Sequence, residues 1–118
     1  MRTVTKHYIG GEFVESHGRE ALESVNPSNG EVLGRVTLGD AEDARRAIAA
    51  AKRAFPAYSR TTKEQRSRYL RRLHEAVSAR AGDLTTVMIE EYGGPRQFSE
   101  ATSARAASAF LDADAALK

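Results

Sequence analysis

The chain has 118 residues, with 18 Lys and Arg against 16 Asp and Glu, three His, no Cys and no Trp. That length allows one domain or part of one at ~100–200 residues per domain, and an apolar content of 41% with a net charge of only +2 excludes a disordered chain. Zero Cys excludes, within these residues, a disulfide scaffold, a thiolate metal site, an iron–sulfur cluster and a cysteine nucleophile.

The first third is rich in turns: Gly10, Gly11, Gly18, Gly30, Gly34 and Gly39 precede only Gly82, Gly93 and Gly94. Tyr8-Ile9 and Phe13-Val14 bracket Gly10-Gly11-Glu12, which predicts a tight hairpin because Gly accepts the positive φ of such turns. Leu22–Val25 and Val32–Val36 bracket Asn26-Pro-Ser-Asn-Gly30, where Asn-Gly signals a turn and Pro27 keeps its predecessor extended. These spacings predict a second hairpin.

From Asp40 the period becomes helical. Asp40 is a good N-cap, and Glu42 and Asp43 favour the positive end of the helix dipole. Ala44, Ala47, Ile48, Ala51 and Phe55 fall on one stripe, and Pro56 is expected to end the helix. Thr61–Glu64 and Thr62–Gln65 are both capping-box pairs for the next helix. Its stripe is Tyr69, Leu70, Leu73, Ala76 and Val77, with Gly82 as the stop. Asp83 is expected to cap a short helix carrying Leu84, Val87 and Met88, closed by Gly93-Gly94-Pro95. A last helix from about Gln97 presents Ala106, Ala107, Phe110 and Leu111 on one side. It reaches Lys118 with no stop signal, as an interrupted domain would. The expected fold class is α+β: two N-terminal β-hairpins (1–39), then about four α-helices (40–118).

Residues 60–80 hold seven Lys and Arg against two Glu, while residues 81–118 hold three basic and six acidic groups. The basic run lacks the interleaved aromatics of a nucleic-acid surface, so it reads as a solvated face pairing with its neighbours, and no nucleic-acid partner is expected. No apolar run approaches the ~18 residues of a membrane span. Residues 1–7 lack an apolar signal segment, so the expectation is a cytoplasmic chain with no membrane partner.

Chemistry-bearing motifs are sparse. His7, His17 and His74 are isolated from one another, with no H-x-x-x-H spacing, and His74 reads as a surface residue. No G-x-S-x-G elbow, Walker loop or G-x-G-x-x-G is present. Gly93-Gly94-Pro95-Arg96 reads as a helix stop and restart rather than an anion-binding turn. Glu91 is out of place, sharing a stripe with Leu84, Val87 and Met88. A carboxylate there is exposed at the helix end, paired with an Arg, or bound to a cation.

Taken in order, these pieces resemble the aldehyde dehydrogenase superfamily. Tyr8-Ile-Gly-Gly-Glu-Phe-Val14 looks like its opening hairpin, and Val25-Asn-Pro-Ser-Asn-Gly-Glu-Val32 like its second. Asp40-Ala-Glu-Asp-Ala44, the run from Ala47 to Ser59, and Arg66 through Leu73 follow in the family's order. Glu90-Glu-Tyr-Gly-Gly-Pro95 is similar to its acidic-x-Gly-x-Pro segment. The resemblance implies the N-terminal segment of a cofactor-binding domain in an enzyme that oxidises an aldehyde to a carboxylic acid with NAD or NADP. It places the nucleophilic Cys, the general-base Glu, the oxyanion-hole Asn and the main cofactor contacts outside these residues. No catalytic and no cofactor-binding residue is therefore expected here, and the isolated chain is expected to bind no cofactor and to be inactive. It also implies a monovalent-cation site drawing on Ser24, Val25 and Glu91, and the rest of the parent enzyme as partner. The alternative reading is a self-associating helical interaction module, since the Ala-rich faces need covering; on either reading a homo-oligomer is expected.

Overall fold

The computed structural model describes residues 2–117. Two compact units form: one takes the chain up to Asn26 and then Gly30–Arg60, the other takes Pro27–Asn29 and the chain from Thr61 onward.

In the first unit, β1 (Arg2–Val4), β2 (Lys6–Ile9), β3 (Glu12–Glu15), β4 (Ala21–Val25) and β5 (Val32–Thr37) precede α1 (Ala41–Tyr58). Both expected hairpins are present. β2 and β3 pair antiparallel across Gly10 and Gly11, whose φ angles of 65° and 90° are open to Gly at no steric cost. Tyr8 stands opposite Phe13 with ring centroids 5.0 Å apart. β4 and β5 pair antiparallel, with a register shift between Ser24 and Val25.

Strand β1 is not foreseen by the hydrophobic pattern. It pairs parallel with β5, giving a sheet of order β1-β5-β4. Three residues are too short to display a period-2 signal. The pairing depends on Gly34, where an added Cβ would lie 2.4 Å from the Arg2 carbonyl oxygen.

Helix α1 starts as expected. Asp40 accepts from the Glu42 and Asp43 N–H groups, and the Asp43 side chain accepts from the Asp40 N–H. Pro56 does not end it; the helix runs on to Tyr58. Pro56 forfeits one intrahelical bond, but only two helical residues follow it, so the loss falls on the last turn. Its carbonyl accepts from Ser59 Oγ at 3.1 Å and Arg60 Nε at 3.0 Å. The stripe from Ala44 to Phe55 is solvent-facing rather than a core face: Ile48 is 64% and Phe55 68% exposed.

The second unit holds α2 (Lys63–Ala79), α3 (Ala81–Val87), a single π turn (Met88–Tyr92) and α4 (Arg96–Ala116). Of the two capping boxes read from the sequence, Thr62–Gln65 is the one at the N-cap. Gly82 does not stop α2 and Asp83 does not cap α3. Helix α2 ends at Ala79, Arg80 links, and Gly82 and Asp83 lie in the first turn of α3. Gly82 has no positive φ, so it makes no left-handed stop. Gly93, at φ 72°, does close the π turn.

The stripes on α2 and α4 are rotated from those expected. Arg66, Ser67, Leu70, His74 and Val77 are half-buried on α2, while Tyr69 and Leu73 are exposed. On α4, Ser99, Ser103, Ala107 and Asp114 are buried, whereas Ala106 and Leu111 are exposed. The reason is size: α2 and α3 both pack on α4, and small side chains permit close approach. Thr85 Oγ1 on α3 lies 3.1 Å from Ser103 Oγ and donates to the Ala81 carbonyl at 2.9 Å. No helix among the described residues is long and apolar enough to cross a membrane.

The parallel pairing is testable at Gly34. Gly34→Val should push β1 off β5 and strip exchange protection from the Arg2–Val4 amides while β2–β3 protection persists; unchanged protection there would contradict the pairing.

Candidate functional site

The densest polar cluster of the first unit gathers on Asp43, which is 5% exposed. The segment leaving β3 wraps the first turn of α1, bringing its N–H groups to the carboxylate. The His17 N–H donates to Asp43 Oδ1 at 3.0 Å, and the Gly18 N–H to Oδ2 at 3.1 Å. Ser16 Oγ donates to Oδ2 at 2.8 Å, and the Asp40 N–H reaches it at 3.2 Å. Close approach is enforced at Gly18, where a Cβ would lie 2.2 Å from the Leu38 carbonyl oxygen.

These donors stabilise the charged form. The His17 N–H does most to hold Asp43 far below its ordinary 3.8; burial opposes it, and the Gly18, Ser16 and Asp40 donors add to the lowering. Asp40 is also lowered, mainly by its hydrogen bond to the His17 ring, with Nδ1 2.6 Å from Oδ2. The histidines that look isolated in the sequence are thus not all apart. His7 and His17 meet the same aspartate pair, with His7 Nε2 3.8 Å from Asp43 Oδ2.

His7, Ser16 and Asp43 are the residue types of a hydrolytic triad in the wrong order. His7 Nε2 lies 3.0 Å from Ser16 Oγ. In a triad the imidazole takes the serine proton and the carboxylate holds the imidazole. Here the carboxylate meets the serine rather than the imidazole: Asp43 Oδ2 lies 2.8 Å from Ser16 Oγ but 3.8 Å from His7 Nε2, so it does not hold the imidazole as a triad aspartate does. The cluster fastens loop to helix and does not activate a nucleophile. Sequence reasoning missed Ser16 and the central role of Asp43; the Asp40-x-x-Asp43 spacing was the available signal.

In the second unit, buried Asp114 accepts from Ser67 Oγ and from Arg71 Nε, the latter at 3.1 Å. His74 is half-buried rather than a surface residue, because its Nδ1 donates to the Ala107 carbonyl at 2.9 Å. Both contacts join α2 to α4.

Ser24 and Val25 lie at the end of edge strand β4, beside its register shift, and belong to the first unit. Glu91 belongs to the second and is exposed. The π turn starts at Met88, so the i+3 relation that put Glu91 on the Leu84–Val87–Met88 stripe fails there. Among the described residues no group of three or more His, Asp or Glu side chains is arranged to hold a metal ion. Gly93 and Pro95 act as a stop and a restart, with no side-chain cap on α4.

Comparison with known proteins adds a consistent result. The model of the Aldehyde dehydrogenase family matches residues 13–117. A putative aldehyde dehydrogenase of Staphylococcus aureus is 35% identical over 100 residues, which cover 85% of this chain and 21% of the relative. The crystal structure of an aldehyde dehydrogenase from Bartonella henselae superposes with a TM-score of 0.94 at 27% identity, over 99% of this chain and 25% of that one. Aldehyde dehydrogenase C of Pseudomonas syringae, solved as a mutant in complex with NAD+ and octanal, gives a TM-score of 0.92 at 31% identity, over 97% and 24%. The chain spans about a fifth of the length of the curated relatives it matches.

The Asp43 cluster predicts a defined acid response. Below the ordinary value of 3.8 the unfolded chain takes up a proton that folded Asp43 refuses. Its stabilisation is therefore complete above that value and is lost as pH falls toward the depressed folded one. Asp43→Asn should lower the Tm at neutral pH and flatten the loss of Tm as pH falls below the ordinary 3.8. An acid profile parallel to the parent's would remove Asp43 as its source.

Proposed function

The chain belongs to the aldehyde dehydrogenase family, and from that membership we propose that it forms the N-terminal part of the cofactor-binding domain of a cytoplasmic enzyme that oxidises an aldehyde to a carboxylic acid with NAD or NADP. The observation that carries this reading is the family match over residues 13–117 together with a superposition over nearly the whole chain. NAD+ bound to the Pseudomonas syringae relative supports the cofactor class. A free-standing helical interaction module is not favoured, since the matches are enzymes of which this chain is a fifth to a quarter.

In this role the 118 residues supply framework and no chemistry. They hold no Cys, and Ser16, the serine set between a histidine and an aspartate, contacts the Asp43 carboxylate directly rather than through the imidazole. The partners are the rest of the enzyme and further copies of it, which cover exposed apolar side chains such as Ile48 and Phe55. No nucleic acid or membrane is a partner. The cation reading belongs here too. The carbonyls of Ser24 and Val25 and the Glu91 carboxylate are oxygen donors suited to a hard cation, which needs further oxygens to complete its shell.

Two measurements test the reading. Purified alone, the 118 residues should produce no NAD(P)H from any aldehyde, while a longer product of the same reading frame, containing a cysteine-bearing segment, should. Turnover by the clean 118-residue chain would overturn the framework role; a reading frame that closes at Lys118 would overturn the enzyme. In the longer product, Glu91→Gln should abolish any rise in Tm caused by K+ or Na+, and a cation response that survives the substitution would remove Glu91 from the site.

A further inference from the structure

The sequence holds two asparagines, Asn26 and Asn29, and both lie in the turn between β4 and β5. Their successors differ. Asn26 precedes Pro27, whose ring nitrogen carries no proton to give up. Asn29 precedes Gly30, which has no side chain to hinder an approach of its nitrogen. Asn29 and Gly30 are both exposed, and a Cβ placed on Gly30 would meet nothing within 4 Å. Space is therefore open where the side chain of Asn29 and the Gly30 nitrogen would close into a ring. The turn also holds that nitrogen. The Gly30 N–H donates to the Asn26 carbonyl at 2.8 Å, and the Asn26 N–H to the Glu31 carbonyl at 2.8 Å.

We propose that Asn29 is a site of spontaneous deamidation, slowed but not prevented by the turn that holds it. The Gly30 nitrogen gives its proton to water or hydroxide and bonds to the side-chain carbonyl carbon of Asn29. The bond from that carbon to Nδ2 breaks, and the amide nitrogen leaves as ammonia. Water then opens the cyclic imide. Attack at the former side-chain carbonyl gives Asp; attack at the main-chain carbonyl gives isoaspartate, with the chain rerouted through the side chain. The reaction draws on these residues and water alone, with nothing oxidised or reduced. The proton that must leave is the one held by the Asn26 carbonyl, so the step waits on opening of the turn. Exposed turns lie at the low-stability end of a fold, where such opening is frequent. Both products place a new negative charge beside Glu31, and isoaspartate displaces the N–H that closes the turn.

The test incubates the full-length protein at mildly alkaline pH and follows its tryptic peptide of residues 20–35 by mass spectrometry, beside a synthetic peptide of the same sequence. Asn29 should take on the mass of the acid in both, several-fold more slowly in the protein, with isoaspartate identified at position 29 by fragmentation. Asn26 should keep its amide in both. Asn29→Thr should abolish the mass change, and unfolding the protein should raise its rate to that of the synthetic peptide. An Asn29 that keeps its amide in the protein after the peptide has converted, or conversion at Asn26 in its place, would overturn the site. Equal rates in the folded protein and the peptide would overturn the restraint by the turn.

Discussion

The first unit depends on one buried carboxylate. Asp43 collects N–H donors from His17, Gly18 and Asp40 and the hydroxyl of Ser16. Those groups lie on the segment between β3 and β4 and at the mouth of α1. Without an acceptor at that point, the backbone groups of the wrapping segment would be buried unpaired, which native folds avoid. A helix N-terminus is a natural place for the charge, because the dipole and the open N–H groups already favour an anion. One side chain thereby fixes where the β region ends, where the helix begins, and the path of the chain between them.

The second unit is held differently. Its principal packing face is the small-residue side of α4, where Ser99, Ser103 and Ala107 let neighbouring helices come close and polar contacts fill the seam. Among the described residues Ala107, 4% exposed, is the hydrophobic side chain that is buried. Phe98, Leu111 and Tyr92 remain on the surface. Apolar burial within the unit is correspondingly small, and the close-packed seam serves geometry more than hydrophobic gain.

Local signals were legible in the sequence and non-local ones were not. Gly10-Gly11 and Asn29-Gly30 mark both hairpins because positive φ is a property of the residues themselves. Asp40 and Thr62 mark their helix starts for the same reason: the cap is closed within three residues. Some local signals misled, since Pro56 does not end α1 and Asp83 does not cap α3, and the other errors fall where a distant partner decides. β1 exists through β5, some thirty residues on. The buried side of α4 is set by what α2 and α3 can approach, which favoured Ser103 over Leu111. Of the candidate cation ligands, the carboxylate at Glu91 stood out by pattern, yet the π turn that displaces it has no signature in hydrophobic period. Ser16 carried no signal at all, since its role exists only against Asp43.

The pairing of β1 with β5 also sets an order of assembly. Arg2–Val4 are made before their partners Gly34–Val36, which leave the ribosome only after both hairpin turns have been synthesised. At roughly 5–20 residues per second, the first strand waits for seconds with its backbone unpaired. The β2–β3 hairpin needs only local residues and can close within that interval, before β1 finds its partner. Strand β1 and strand β4 thus both wait for β5, which joins them into one sheet.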